Sequence, residues 1–194
     1  DGQRRTPRRR HRAKAVQINT DGGCHLDSNL VMEALGAFDL NEIDILFIEN
    51  VGNLVCPVEF DCGEDAKIAL LSVTEGDDKP EKYPLLFNRA SVMVLNKIDL
   101  LPYVDFDVEV AARHARHLNA DLALFEVSCR TGEGLEKWYS FNAEIAKIKQ
   151  NSVENSFGII YPSIGGSTWD RSPVVTPTYL FSDYILASYI KKCN

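Results

Sequence analysis

Asn96-Lys97-Ile98-Asp99 has the residue types and spacing to read a purine base. It follows the apolar run Val92–Leu95, which suits a buried strand. The four residues would therefore emerge where ligands of open parallel sheets lie. A carboxylate at Asp99 can accept from N1–H and the 2-amino group of guanine together, a donor pair that adenine lacks. Asn96 can reach the base's acceptor edge, and the stem of Lys97 can cover its face. A turn that merely uses Asn and Asp would carry the same letters. Ser128-Cys129-Arg130, after the next apolar run, favours base reading. Its backbone amides would lie beside the same base, and Cys129 N–H could donate to guanine O6.

A second chemistry-bearing stretch is Ile45-Leu46-Phe47-Ile48-Glu49-Asn50-Val51-Gly52-Asn53-Leu54-Val55-Cys56-Pro57. A carboxylate at the end of a buried strand, Glu49, can hold a magnesium ion through water. The glycine three residues on, Gly52, lets a backbone N–H approach a terminal phosphate. Cys56 adds a soft metal ligand. Gly23-Cys24-His25-Leu26-Asp27 supplies a thiol and an imidazole, which suit nickel or zinc. Adjacent residues rarely complete a site alone, so Cys24, His25 and Cys56 would need each other or a second subunit. Equally, either cysteine could be a small core hydrophobe and His25 a helix-terminal hydrogen-bonding group. Cys62, Cys129 and Cys193 have weaker claims, and His114 and His117 fit a solvated helix face. Glu75, Asp77 and Asp78 suit an ion or ribose contact, or more simply a solvated acidic turn.

The elements that must position these groups alternate. Val16–Ile18 reads as a short strand, followed by a loop and a helix over Leu30–Leu35 with Asp27 or Ser28 as N-cap. Ile43–Ile48, Ile68–Val73, Val92–Leu95 and Leu122–Val127 read as buried strands. Between them fall an amphipathic segment at Tyr83–Arg89 and a helix built on Val108, Ala111, Ala112, Ala115 and Leu118, with Asp105 as cap. A helix carrying Leu135, Trp138 and Phe141 follows. Such alternation implies right-handed crossovers and a mostly parallel sheet, an α/β fold with helices on both faces. Beyond about Asn142 the composition changes, and residues 151–194 fit no further βα unit, although Tyr179–Ile190 is apolar enough to pack.

The 194 residues suit one domain. Residues 1–14 hold seven of the 21 Lys and Arg, so a net charge of -7 conceals an acidic body behind a basic leader. That body argues against nucleic-acid binding as the main task. No apolar run reaches the roughly 18 residues of a membrane span, and nothing hydrophobic follows the basic start. Five scattered cysteines do not read as a disulfide framework, which places the chain in reducing cytosol.

From Ala15 to about Tyr139 the chain closely resembles the hydrogenase nickel-incorporation GTPases, the HypB family. The strings that carry this are Ala15–Thr20, Gly23–Asp27, Phe47–Pro57, Leu71–Pro80 and Asn96–Asp99. The urease nickel GTPases resemble it less, since they place a proline between cysteine and histidine. The resemblance implies a P-loop GTPase fold, GTP or GDP with Mg2+, and nickel (or zinc) as cargo for nickel–iron hydrogenase. It implies Glu49 and Gly52 as catalytic-loop residues and Asn96, Lys97, Asp99, Ser128, Cys129 and Arg130 as nucleotide-binding. Cys24, His25 and Cys56 become metal ligands at a homodimer interface. The implied partners are the hydrogenase large subunit and a nickel metallochaperone, in the cytoplasm, with neither nucleic acid nor membrane.

Two departures accompany it. No Gly-x-x-x-x-Gly-Lys-[Ser/Thr] occurs in the sequence. In the family that loop lies upstream, so the expected fold lacks the first strand and P-loop, with little or no hydrolysis by this chain alone. Residues 1–14 are expected to be a non-matching leader, 15–141 a partial GTPase-like domain and 142–194 a non-matching tail. The alternative is a metal-binding dimerisation module that does not hydrolyse nucleotide.

Overall fold

A computed structural model of the chain describes residues 14–151 and 158–164. The elements run α1 (Ser28–Leu35), β1 (Ile45–Phe47), α2 (Cys56–Glu59), β2 (Ala66–Ser72), α3 (Lys79–Lys82), α4 (Pro84–Arg89) and β3 (Val92–Asn96). A 3-10 turn over Ile98–Tyr103, α5 (Val108–Leu118), β4 (Ala123–Glu126), α6 (Leu135–Asn151) and β5 (Gly158–Ile164) complete them. The strands form one sheet in the order β1-β5-β2-β3-β4, every pairing parallel. All carboxyl ends therefore meet at one edge, and Glu49, Gly52, Lys97, Asp99 and Ser128–Arg130 follow those ends.

Alternation along the strands divides the core between two faces. Ala69, Leu71, Met93 and Leu95 pack against Val58 of α2, Leu86 and Phe87 of α4, and Ala111 and Ala115 of α5. The residues between them, Ile68, Leu70, Val92 and Val94, meet Leu135 and Trp138 of α6. Phe125, Trp138 and Phe141 interlock there, with Phe125 edge-on to Trp138 at 5.3 Å. Leu46 and Ile48 are covered by Leu26 and Val31, so α1 closes the β1 end. Each of these large side chains, buried, contributes about 1.5–3 kcal/mol, which is why the apolar runs of β2 and β3 are continuous.

The fold is thus the parallel, doubly covered α/β sheet that the alternation implies. Three local expectations change. Val16–Ile18 is not a strand: among the described residues no sheet neighbour pairs its backbone, and Val16 is exposed. Asp107, not Asp105, caps α5, because its Oδ1 accepts from the N–H groups of Glu109 and Val110 at 2.9 and 3.1 Å. β1 stops at Phe47, which leaves Glu49 in the loop beyond it.

β5 is an addition to the pattern read from the sequence. It is inserted between β1 and β2, with Leu46 opposite Ile159 and Ile68 opposite Pro162. Proline has no N–H to give a ladder and is normally confined to edge strands, so its presence hides an interior strand from a pattern reading. The apolar segment Tyr179–Ile190 and Cys193 lie outside the described residues. Among the described residues no helix is long and apolar enough to cross a membrane.

Candidate functional site

The residues expected to read a base come together at the ends of neighbouring strands. β3 ends at Asn96, which is buried, and its Oδ1 accepts the N–H of Lys97 at 2.7 Å. That bond holds Lys97 in the left-handed region, φ 64, and swings the chain into the 3-10 turn carrying Asp99. With one lone pair of its oxygen so used, Asn96 keeps its amide N–H2 to offer a base's acceptor edge. Ile98 N–H donates to Val127 O at 3.2 Å, tying this turn to the end of β4.

Asp99 is fixed from the β4 side. The buried Ser128 hydroxyl donates to its Oδ1 at 2.6 Å, and Arg130 approaches its Oδ2 at 3.9 Å from an exposed position. Ser128 also accepts Thr131 N–H on its oxygen at 3.1 Å, and its backbone closes the turn to Gly132 and Glu133. Burial, and then the Asp99 charge beside it, push the Cys129 thiol well up, so it stays protonated. Gly134, φ +74, is obligatory behind this loop, since a Cβ there would run into the Glu126 carbonyl.

The metal candidates gather at the β1 end. A tight turn, Gly23 N–H to Thr20 O at 2.8 Å, presents Cys24 and His25 ahead of α1, whose N-cap is Asp27. Cys24 Sγ lies 3.5 Å from His25 Nδ1. A hydrogen bond with the Cys56 thiol, then burial, raise the pKa of Cys24, so this thiol interacts with both other candidates. His25 stacks on Phe60, ring centroids 3.7 Å apart. Among the described residues, however, no three His, Cys, Asp or Glu side chains are arranged to hold a metal ion by themselves. The donor set is soft and correct in type, and it calls for movement or for ligands from a second copy.

Two residues outside the sequence reading organise the site. Asn50 is almost wholly buried, and its Oδ1 accepts both Leu26 N–H at 2.8 Å and Val51 N–H at 2.7 Å. One side chain thus joins the Cys24-His25 loop to the loop of Glu49, Gly52 and Cys56. Its signal in the sequence was only an amide after a buried strand. Phe60 is the other, and a lone aromatic carries no signal at all. Glu49 and Gly52 follow β1 as half-buried loop residues at the sheet's carboxyl edge.

The acidic turn after β2 is less solvated than its composition suggests. Asp77 accepts Asp107 N–H at 3.0 Å, and Asp78 pairs with Lys82 at 2.5 Å. Burial lifts the Glu75 carboxyl to about 7 against the pull of Lys79 and Lys97, and among the described residues its buried Oε2 has no hydrogen-bond partner.

Known proteins resemble this chain in sequence and fold. The family model described as CobW/HypB/UreG, nucleotide-binding domain, matches residues 4–126. The hydrogenase maturation factor HypB of Azotobacter vinelandii is 57% identical over 127 residues, 66% of this chain and 42% of that protein. A crystal structure of HypB from Archaeoglobus fulgidus superposes with a TM-score of 0.63 at 41% identity, over 66% of this chain and 63% of that one. A structure of HypB from Helicobacter pylori in complex with nickel gives 0.67 at 33% identity, over 73% and 67%. The chain spans a little over two fifths of the length of such curated relatives. A family model over more than half of the residues, and a fold shared with a solved relative at 41% identity, make this chain a member of the CobW/HypB/UreG nucleotide-binding-domain family.

Proposed function

We infer that this chain is the guanine-reading and metal-holding part of a GTPase that delivers nickel during nickel–iron hydrogenase maturation. The observation that carries this is the built Asp99 carboxylate: Ser128 holds it at 2.6 Å beneath a turn that only the left-handed Lys97 permits. Ahead of α1, Cys24 meets His25 at 3.5 Å and interacts with the Cys56 thiol. β1 and β3 are three strand steps apart, about 14 Å. A guanine nucleotide with its base at β3–β4 would therefore direct its phosphates toward Glu49 and Gly52.

In this reading Asp99 accepts from guanine N1–H and the 2-amino group, Lys97 covers the base and the Cys129 amide meets O6. Glu49 is the carboxylate that would hold Mg2+ through water, where the ion would neutralise phosphate charge. Cys24, His25 and Cys56 take nickel, or zinc, as cargo, completed by a second copy in a homodimer. The hydrogenase large subunit and a nickel metallochaperone are the implied partners, in the cytoplasm. Relatives named as hydrogenase maturation factors, one of them solved with nickel, support the reading.

The test is Asp99→Asn with GDP and xanthosine diphosphate. An amide donor suits the 2-oxo group of xanthine and repels the guanine donors, so GDP affinity should fall about 100-fold, by the roughly 2–3 kcal/mol of a charge-assisted pair. Xanthosine diphosphate should gain. Calorimetry that finds both nucleotides bound to the variant as to the wild type sinks the Asp99 assignment.

A further inference from the structure

The metal cluster contains one contact that ligand chemistry does not require. His25 lies flat on Phe60, the rings 3.7 Å apart and inclined by 13°. Stacking selects the plane of an imidazole but not its flip, because a half-turn about χ2 preserves the overlap. The flip is chosen by Cys24: the observed ring turns Nδ1 to the sulfur at 3.5 Å, whereas the other would present Cδ2–H. That distance is the hydrogen bond of a thiol and an imidazole, and it also matches the separation of two ligands on one metal ion. A thiolate about 2.3 Å and an imidazole nitrogen about 2.0 Å from one tetrahedral ion stand about 3.5 Å apart, while a square-planar ion needs about 3.1 Å.

The Phe60 platform is itself anchored. It lies immediately beyond α2, and Lys67 of β2 donates to its carbonyl at 3.2 Å while pairing with Glu64 at 2.8 Å. On the His25 side, Leu26 is tied to Asn50. One half of the stack therefore rests on β2 and the other on the loop that follows β1.

We propose that Phe60 is a positioning residue for the metal cargo, fixing the plane of His25 so that Nδ1 meets the Cys24 sulfur at the spacing of two ligands on a tetrahedral ion. This rests on the metal-site reading above and adds to it which nitrogen binds, and what aims it. Removing the ring frees His25 to rotate, so each binding event must order it again.

The experiment is a Co2+ and Zn2+ titration of the full chain under reducing conditions, with Phe60→Leu, Phe60→Tyr, His25→Ala and Cys24→Ala beside the wild type. Phe60→Leu should bind both ions about 3–10-fold more weakly and lose Co2+ d–d intensity, in keeping with one lost aromatic contact. Phe60→Tyr should restore both. In the His25→Ala background, Phe60→Leu should change nothing further. With histidine labelled in nitrogen-15, Zn2+ should shift Nδ1 of the wild type and leave Nε2 protonated. Because Phe60 is 39% exposed, its loss leaves the core standing, which thermal melts would verify.

Wild-type affinity and spectrum in Phe60→Leu, with His25→Ala weakened, would overturn the proposal and spare the metal site. So would an undiminished Phe60→Leu effect without His25, or coordination through Nε2. If neither His25→Ala nor Cys24→Ala weakens binding, the metal-site reading fails and the proposal falls with it.

Discussion

Glu75→Gln should make the protein more stable at pH 8 and leave it unchanged near pH 4. The carboxyl sits half-buried in the turn after β2, with Oε2 unpartnered, and burial raises its pKa from 4.5 to about 7. The sign follows from proton counting. Between these two values the folded protein holds the Glu75 proton and the unfolded chain has released it, so stability falls as pH rises through this window and is level above it. At 1.36 kcal/mol per pH unit the full displacement corresponds to about 3.4 kcal/mol. Solvent screens a part-buried carboxylate, so about 1–2 kcal/mol should survive. Lys79 and Lys97 already act within that net value, since both favour the charged form.

Glutamine keeps the shape and one acceptor oxygen and cannot ionise. Urea unfolding of wild type and variant from pH 4 to pH 8 isolates the effect, because every other titrating group cancels in the difference. The difference should be near zero at pH 4, grow between about pH 5 and 7 and then level off. A flat difference, or a variant less stable at pH 8, would mean that the charged form is better compensated by Lys79 and Lys97 than the burial argument allows.

Two further substitutions probe the loops. Gly134→Ala places a Cβ against the Glu126 carbonyl at φ +74 and should cost about 2–4 kcal/mol in urea unfolding. Gly132→Ala, at φ +89 but facing open space, should cost only about 1–2 kcal/mol, so equal losses would refute the clash. Asn50→Leu strands the N–H groups of Leu26 and Val51, and should cost about 2–4 kcal/mol and weaken metal binding at Cys24 and Cys56. Asn50→Asp keeps the two accepted bonds, so a metal titration in which it binds no better than Asn50→Leu would refute the link between the loops.

What the sequence makes legible here is local, and what it conceals is long-range. β2 and β3 are covered on both faces, so their composition alone announces them, and the turn after β3 follows because Asn96 and Lys97 are neighbours. Asp27 as the cap of α1 is legible for the same reason. At α5 two aspartates stand in capping range, and only the direction of chain entry, set partly by the Asp77 bond to Asp107, selects the second. Val16–Ile18 has strand composition without a strand to pair with, whereas β5 carries a proline and finds two. The same division runs through the site. Cys24, His25 and Cys56 are visible because their elements bind metals. Asn50 and Phe60 are ordinary residues whose roles arise from contacts 24 and 35 positions away, with Leu26 and His25. Side chains that aim ligands need only the right shape and the right neighbour. Their identity becomes readable when the fold has supplied that neighbour, and the stack on His25 is where this can be measured.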